Sequence, residues 1–378
     1  MRKILIPYLL AGDGHILTAQ SIAYYLSVKK PNWKIRFLEP ADEFNDKKLD
    51  TSYRRAWKIA LTKPSLSKLP FALFGKIFPS VSLALNKSSI KDAIPKAADV
   101  LRQFKPDAIM ATHWSCGHIF QAARKEAGCD IPLLYVRNEL GGAVKVQDCG
   151  ADYLFVTSED AKNDFIKIGF PEEKLIRVNF LVNPKCIEDR MSKEEARKKC
   201  NIPQDAFTIL LTIGGEGVGL RFTPEFIDTF LDETKKKNVK SRLIVVTGRN
   251  IQLYERLTSR YPIPEIVALG YREDMHVLKA ASDILAGKCG AIYSMEAVMM
   301  HKPFIITLVG APNENFNKEF IVKNGYGWYT PKPSDFASLL KDILNDPALI
   351  EEKVKASSKV PLRNGAEDIA ETLINILS

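Results

Sequence analysis

Residues 282–325 read SDILAGKCGAIYSMEAVMMHKPFIITLVGAPNENFNKEFIVKNG, and the parsing of this stretch decides that of the whole chain. An apolar run at 284–286 gives way to the small residues Cys289, Gly290 and Ala291, then to a helix-forming run over 292–300. That order predicts a strand, a tight turn and a helix start. Such a turn presents unpaired backbone N–H groups at the positive end of a helix dipole, which suits a phosphate or diphosphate. Glu296 falls roughly a turn and a half into the helix, where a carboxylate accepts hydrogen bonds from neutral hydroxyls such as those of a ribose. The plain alternative is an ordinary βα turn with Glu296 on a solvated face.

Outward from this unit the same alternation repeats. Towards the N-terminus, β-like runs at 207–213, 243–246 and 266–269 end in GGEGVG (214–219), TGRN (247–250) and GYREDM (270–275); beyond it, the run 303–307 precedes APNENFN. Residues 366–377 have the apolar spacing of a helix. The first half runs in parallel. A strand at 3–10 leads to the turn AGDGH (11–15), a helix follows at 17–26, and a strand at 33–38 comes next. Further on are a helix at 92–103 and strands at 107–112, 133–136, 153–156 and 176–180. The polar stretch after residue 182 carries no strand signal, so the domain boundary is expected at 183–185. The fold class is therefore α/β, with two Rossmann-like domains in tandem whose strand C-ends face a cleft. The turns AGDGH, GGEGVG and KCGA all fall at expected strand ends. None has the Walker Lys-Ser/Thr or a full G-x-G-x-x-G; a dinucleotide reading of AGDGH rests only on Glu39 further along.

A chain of 378 residues, 46% hydrophobic and 26% charged, suits two soluble domains. No apolar run approaches the roughly 20 residues that span a bilayer, and the start, MRKILIPYLLAGDGH, reads as a first strand rather than a signal peptide. Six cysteines without a C-x-x-C pair argue against a zinc site or a disulfide framework, so a reducing cytosol is expected. The net charge of +9 is concentrated: residues 51–91 hold eight basic residues and no acidic one. Bulky apolar side chains are interleaved with them. Lys68, Lys76, Phe71, Phe74 and Phe78 are the expected contacts of a peripheral segment with an anionic membrane surface, each cation contributing about 1 kcal/mol. Helices with snorkelling lysines are the plain alternative. No nucleic-acid module is recognised, and nucleic acid is not an expected partner.

GGEGVG, TGRN, GYREDMHVLKAASD, KCGAIYSMEA and PNENFNKEFIVKNGYGW occur in the order of the processive diacylglycerol glycosyltransferases and monogalactosyldiacylglycerol synthases, which the chain resembles. AGDGHILTAQSIAYYL and KPDAIMATH are similar to their N-terminal turn and strand. A related likeness is to the peptidoglycan N-acetylglucosaminyl transferase. The resemblance implies a GT-B glycosyltransferase with an acceptor domain over 1–184, a nucleotide-sugar domain over 185–356, and a terminal helix in 357–378 that packs back on the first. It implies a UDP-sugar donor, inversion at the anomeric carbon, a lipid hydroxyl as acceptor, and neither metal nor cofactor.

Carried over residue by residue, the resemblance puts the leaving diphosphate against Gly290 and Ala291, with Gly214, Gly215 and Gly217 closing over it and Gly14 in the first turn. Glu296 falls at the ribose position, Tyr271 and Arg272 flank the uracil, Arg249 and Met275 join the donor side, and Asn313 and Glu314 fall at the sugar-contact pair. His15 is the expected catalytic base, with Glu39 the second candidate; His113, Arg137, Asn138 and Glu139 are expected at the acceptor. His118, His276 and His301 go to packing or solvent. Departures from the family bear on the substrate: Asp13 replaces a glycine, Ile213 stands where a further glycine is common, Asn313 stands where the pair usually has Gln, and Arg137–Glu139 replaces a Thr-Asp. A soluble-acceptor glycosyltransferase, and a nucleotide-sugar epimerase of the same architecture with paired acids or bases around the sugar, are the alternatives. A non-catalytic partner subunit is the third.

Overall fold

The structure is a computed structural model that describes residues 1–10, 12–55, 86–215, 223–311 and 313–378. It divides into two compact units, one of Met1–Val182, Ala311–Phe316 and Arg363–Ser378, the other of Asn183–Gly310 and Asn317–Leu362. The expected boundaries at 184 and 356 therefore move to Val182 and Leu362. Ala311–Phe316, expected in the second domain, groups with the first. The reason is local: the Phe316 ring lies on Gly141 and Gly142, and a Cβ on Gly142 would come within 2.0 Å of it.

The first unit is built on a parallel sheet of β1 (Lys3–Pro7), β2 (Lys34–Leu38), β3 (Ala108–Ala111), β4 (Leu133–Val136), β5 (Tyr153–Val156) and β6 (Leu175–Arg177), in the order β2-β1-β3-β4-β5-β6. Strands β3 and β4 are buried along their whole length, which is why they read as unbroken apolar runs and not as alternating ones. Edge strand β2 is mostly uncovered. Helices α1 (Gly14–Lys29), α2 (Ala93–Phe104) and α3 (Trp114–Ala127) follow in the chain, and Leu5, Ile109, Phe120 and Phe165 centre the core.

The second unit repeats the plan with β7 (Phe207–Thr212), β8 (Ser241–Val246), β9 (Ile266–Leu269), β10 (Ile284–Lys288), β11 (Phe304–Leu308) and β12 (Gly327–Tyr329), ordered β12-β11-β10-β7-β8-β9. Strand β12 escapes the sequence reading because it is three residues long and begins with glycine. Helices α4 (Met275–Ala281) and α5 (Ala291–Met299) flank β10 in the chain. Asp283, at the start of β10, accepts from the Thr208 amide (2.7 Å), the Arg197 guanidinium (2.8 Å) and the Lys193 ammonium (3.0 Å). This fastens β10 beside β7.

In each sheet the strand order reverses once: between β1 and β3 in the first, between β7 and β10 in the second. At such a switch the connections leave for opposite faces, and a crevice opens at the strand C-ends where ligands of open α/β sheets bind. His15 follows β1 and His113 follows β3; Gly214 follows β7 and Gly290 follows β10. Gly287 lets the second pair approach. Its φ is +134°, and a Cβ there would sit 1.9 Å from the Thr212 carbonyl oxygen.

The last helix, α6 (Gly365–Ile376), packs on α1 within the first unit. Buried Asn364 makes the join: its Nδ2 donates to the Val182 carbonyl (2.9 Å), and its Oδ1 caps α6 by accepting from the Ala366 amide (3.1 Å). Lys29 of α1 bridges Glu367 and Glu371 of α6 at 2.7 and 2.9 Å. Asn364→Ala removes a helix cap and one of the two hydrogen bonds to the Val182 carbonyl, which keeps that from the Ser21 hydroxyl at 3.0 Å, and is expected to lower unfolding free energy by about 1–2 kcal/mol in urea titration. A loss under about 0.5 kcal/mol would show that Asn364 does not hold this helix in place.

Candidate active site

In the first unit the switch point is occupied by histidines. The His15 Nδ1 lies 2.6 Å from the Thr112 carbonyl oxygen, and the Thr112 hydroxyl donates back to the His15 carbonyl at 3.0 Å. A carbonyl only accepts, so Nδ1 carries the proton and Nε2 carries the lone pair, the tautomer a general base requires. Burial holds the imidazole below its ordinary pKa, while the Glu139 charge and the Thr112 carbonyl pull it the other way. The His113 ring stands edge-on to His15, with centroids 4.7 Å apart. Its Nδ1 accepts from the Ser115 amide at 3.2 Å, capping α3. Burial, and then the neighbouring His15 and His118, push its pKa well down. Tyr53 and Trp114 complete an aromatic wall around it.

Three expected residues of this half are otherwise engaged. Glu39 is buried, and its two carboxylate oxygens accept from the backbone amides of Leu10 (3.3 Å) and Asp42 (2.8 Å), the second as cap of the short helix Pro40–Glu43. Arg137, expected at the acceptor, is instead a core side chain, 1% exposed, over the Phe165 ring. It donates to the Gly141 carbonyl at 2.6 Å and to the Gln147 side chain. Its guanidinium ties residues 137–147 together. Asn138 is buried and donates to the Thr18 hydroxyl (3.2 Å), bracing α1. Glu139 stays half-buried with its charge near His15.

In the second unit three turns converge. The Gly214–Gly215 turn after β7 is gripped by the turn after β8: the Arg249 amide donates to the Gly215 carbonyl at 2.9 Å, and a Cβ on Gly248 would lie 2.5 Å from that oxygen. Gly290 is the N-cap of α5 and brings no side-chain cap, so the first amides of that helix have no intrahelical partner. Lys288 runs between the two glycine turns. Its Cδ is 3.6 Å from the Cβ position of Gly214, and its Nζ 3.6 Å from that of Gly290. The sequence reading passed over this lysine, although it directly precedes the turn. The Arg249 guanidinium stacks over the half-exposed Tyr271 ring at 4.6 Å, a flat platform. Arg272 is paired with Asp274, which precedes Met275 at the start of α4.

Glu296 is buried at 5% exposure and not on a solvated face. Its Oε2 pairs with the equally buried Lys279, and its Oε1 accepts from the Asn183 amide (3.3 Å) and the Cys186 thiol (3.7 Å). Lys279 was also missed; the signal is a single cation inside the apolar run VLKAA of α4. Asn313 is half-buried. Glu314 is buried and accepts from the Ala311 amide at 3.3 Å, both within the segment that groups with the first unit. Gly217 lies outside the described residues, as do Lys68, Phe71, Phe74, Lys76 and Phe78. Of the eight basic residues around them, Arg54 and Arg55 are paired with Asp42 and Asp50. Among the described residues no helix is long and apolar enough to cross a membrane.

No family model matches the chain. It is 22% identical over 378 residues, spanning 93% of the relative, to a processive diacylglycerol beta-glucosyltransferase of Staphylococcus haemolyticus. Over 268 residues it is 25% identical to monogalactosyldiacylglycerol synthase 3, chloroplastic, of Arabidopsis thaliana, of which it spans 57%. Among solved structures, MurG of Acinetobacter baumannii superposes with a TM-score of 0.64 at 15% identity, covering 99% of this chain and 100% of that one. UDP-GlcNAc 2-epimerase from Neisseria meningitidis, bound to UDP-GlcNAc, has the same score, identity and coverage. These structural likenesses carry the fold, which transferases and epimerases share; the sequence relatives separate the two, since they are glycosyltransferases. The chain is a glycosyltransferase of the GT-B fold, similar in sequence to the diacylglycerol glycosyltransferases and monogalactosyldiacylglycerol synthases.

Proposed function

We propose that the protein transfers a hexose from a UDP-sugar to a hydroxyl of a diacylglycerol-type lipid, with inversion, at an anionic membrane surface and without a resident metal. The observation that carries this reading is the His15–Thr112 pair, which leaves a neutral imidazole with its Nε2 lone pair at a sheet switch point. The names of the sequence relatives support the transfer of a hexose and the diacylglycerol acceptor class.

The chemistry follows from the residues. As the acceptor oxygen attacks the anomeric carbon, its proton passes to Nε2 of His15 and the bond from that carbon to the diphosphate breaks. Negative charge then develops on the leaving UDP. The amides of the Gly214–Gly215 turn and of the start of α5 offer fixed dipoles to it, and the Lys288 ammonium offers a full charge. The Arg249–Tyr271 platform offers a stacking face for uracil, and Glu296 an acceptor for ribose. Residues 51–91 supply the basic and apolar surface for the lipid side.

His15→Ala is expected to lower kcat for hexose transfer to diacylglycerol vesicles roughly a hundredfold or more with little change in KM for the donor. The base must be neutral, and its pKa is held below 6.5. The wild-type kcat/KM is therefore expected to be flat at neutral pH and to fall only as pH drops through that lowered pKa. A variant within threefold of wild type, or an acid limb unaltered by the substitution, would remove His15 as the base. In sedimentation with vesicles containing anionic lipid, a Phe71/Phe74/Phe78→Ser variant is expected to stay in the supernatant under conditions where the wild type pellets. Equal pelleting would exclude insertion by this segment.

A further inference from the structure

The buried pair of Lys279 and Glu296 bears on which nucleoside the donor site accepts. A carboxylate offers about four hydrogen-bond positions on its two oxygens. In Glu296 three are filled by the protein itself, by the Lys279 ammonium on Oε2 and by the Asn183 amide and Cys186 thiol on Oε1. The charge is matched too: Lys279 is 3% exposed, Glu296 5%, and the ammonium sits over the Tyr293 ring at 5.3 Å. A buried carboxylate without such a partner would depend on ligand hydroxyls for its hydrogen bonds. A site of that kind strongly rejects an analogue lacking the hydroxyl, because a buried charge is left unpaired. Here the carboxylate is compensated before any ligand arrives.

We propose that Lys279 is a specificity-determining residue of the donor site: by pairing with Glu296 it removes the requirement for a ribose 2′-hydroxyl, so the site takes ribonucleoside and 2′-deoxyribonucleoside diphosphates almost alike. This rests on the reading of Glu296 as the ribose acceptor in a nucleotide-sugar site. One open position on the carboxylate accommodates one hydroxyl, and losing a neutral hydrogen bond to a neutralised carboxylate costs little affinity. Replacing Lys279 by a neutral residue returns Glu296 to dependence on the ligand. A merely structural Lys279, tying α4 to α5, would alter the affinity for both nucleotides by the same factor and leave their ratio unchanged.

Calorimetric titration of the full chain with UDP and with 2′-deoxy-UDP tests this. For the wild type the two dissociation constants are expected to lie within about fivefold, and for Lys279→Gln the preference for UDP is expected to rise about tenfold further. Wild-type rejection of 2′-deoxy-UDP by more than about fiftyfold, with UDP bound, would overturn the inference alone. So would an unchanged ratio in the variant. Absence of binding by either nucleotide would overturn both the inference and the donor reading beneath it. Should Lys279→Gln fail to fold by circular dichroism, the wild-type ratio still decides, and Lys279→Arg, which keeps the charge, is expected to retain it.

Discussion

Two adjacent parallel strands that send their chains to opposite faces of a sheet leave backbone amides uncovered at their C-ends. The chemistry of this chain depends on that constraint, imposed twice. In the second sheet it requires β7 and β10 to lie so close that only glycine fits at residue 287. The crevice is then walled by Gly214, Gly215 and Gly290, and a lysine side chain runs along it. In the first sheet the same constraint sets the turn after β1 beside the end of β3, where the Thr112 carbonyl fixes the tautomer of His15. Asp283 and Asn364 hold the framework through hydrogen bonds to the Thr208 amide and the Val182 carbonyl.

Much of this was legible in the sequence because parallel strands buried on both faces appear as short apolar runs, and strand ends that must approach a ligand are marked by glycine. The runs at 133–136, 153–156 and 266–269 are strands β4, β5 and β9 without adjustment. The turns at His15 and Gly290 stand at the two switch points. What was not legible concerns where charged side chains point. Arg137 and Glu39 lie at strand ends, as ligand-binding residues do, yet one is folded into the core over Phe165 and the other caps a short helix. Position along the chain is shared by both outcomes; only the tertiary partners, such as Gln147 and Gly141 for Arg137, separate them. The partnership of Lys279 with Glu296 was hidden likewise, since the two residues belong to different helices and share no sequence spacing.

The buried Lys279–Glu296 pair also illustrates how a binding carboxylate is maintained. Two buried charges contribute little net stability once desolvation is counted, but each strongly destabilises the fold if left alone. The pair holds the carboxylate in one orientation. It also anchors Asn183 and Cys186, the first residues of the second unit, to α5. Orientation of the proposed ribose acceptor and attachment of Asn183 and Cys186 to α5 thus share one set of atoms.

The most direct test of the proposed activity is a transfer assay in which purified protein is incubated with a panel of radiolabelled UDP-hexoses and a total membrane lipid extract, followed by organic extraction of the lipids. Label recovered in lipid from at least one UDP-hexose, and not from protein lacking the His15 imidazole, is the expected result. Turnover of the donor with no labelled lipid under any of the sugars would contradict a lipid acceptor.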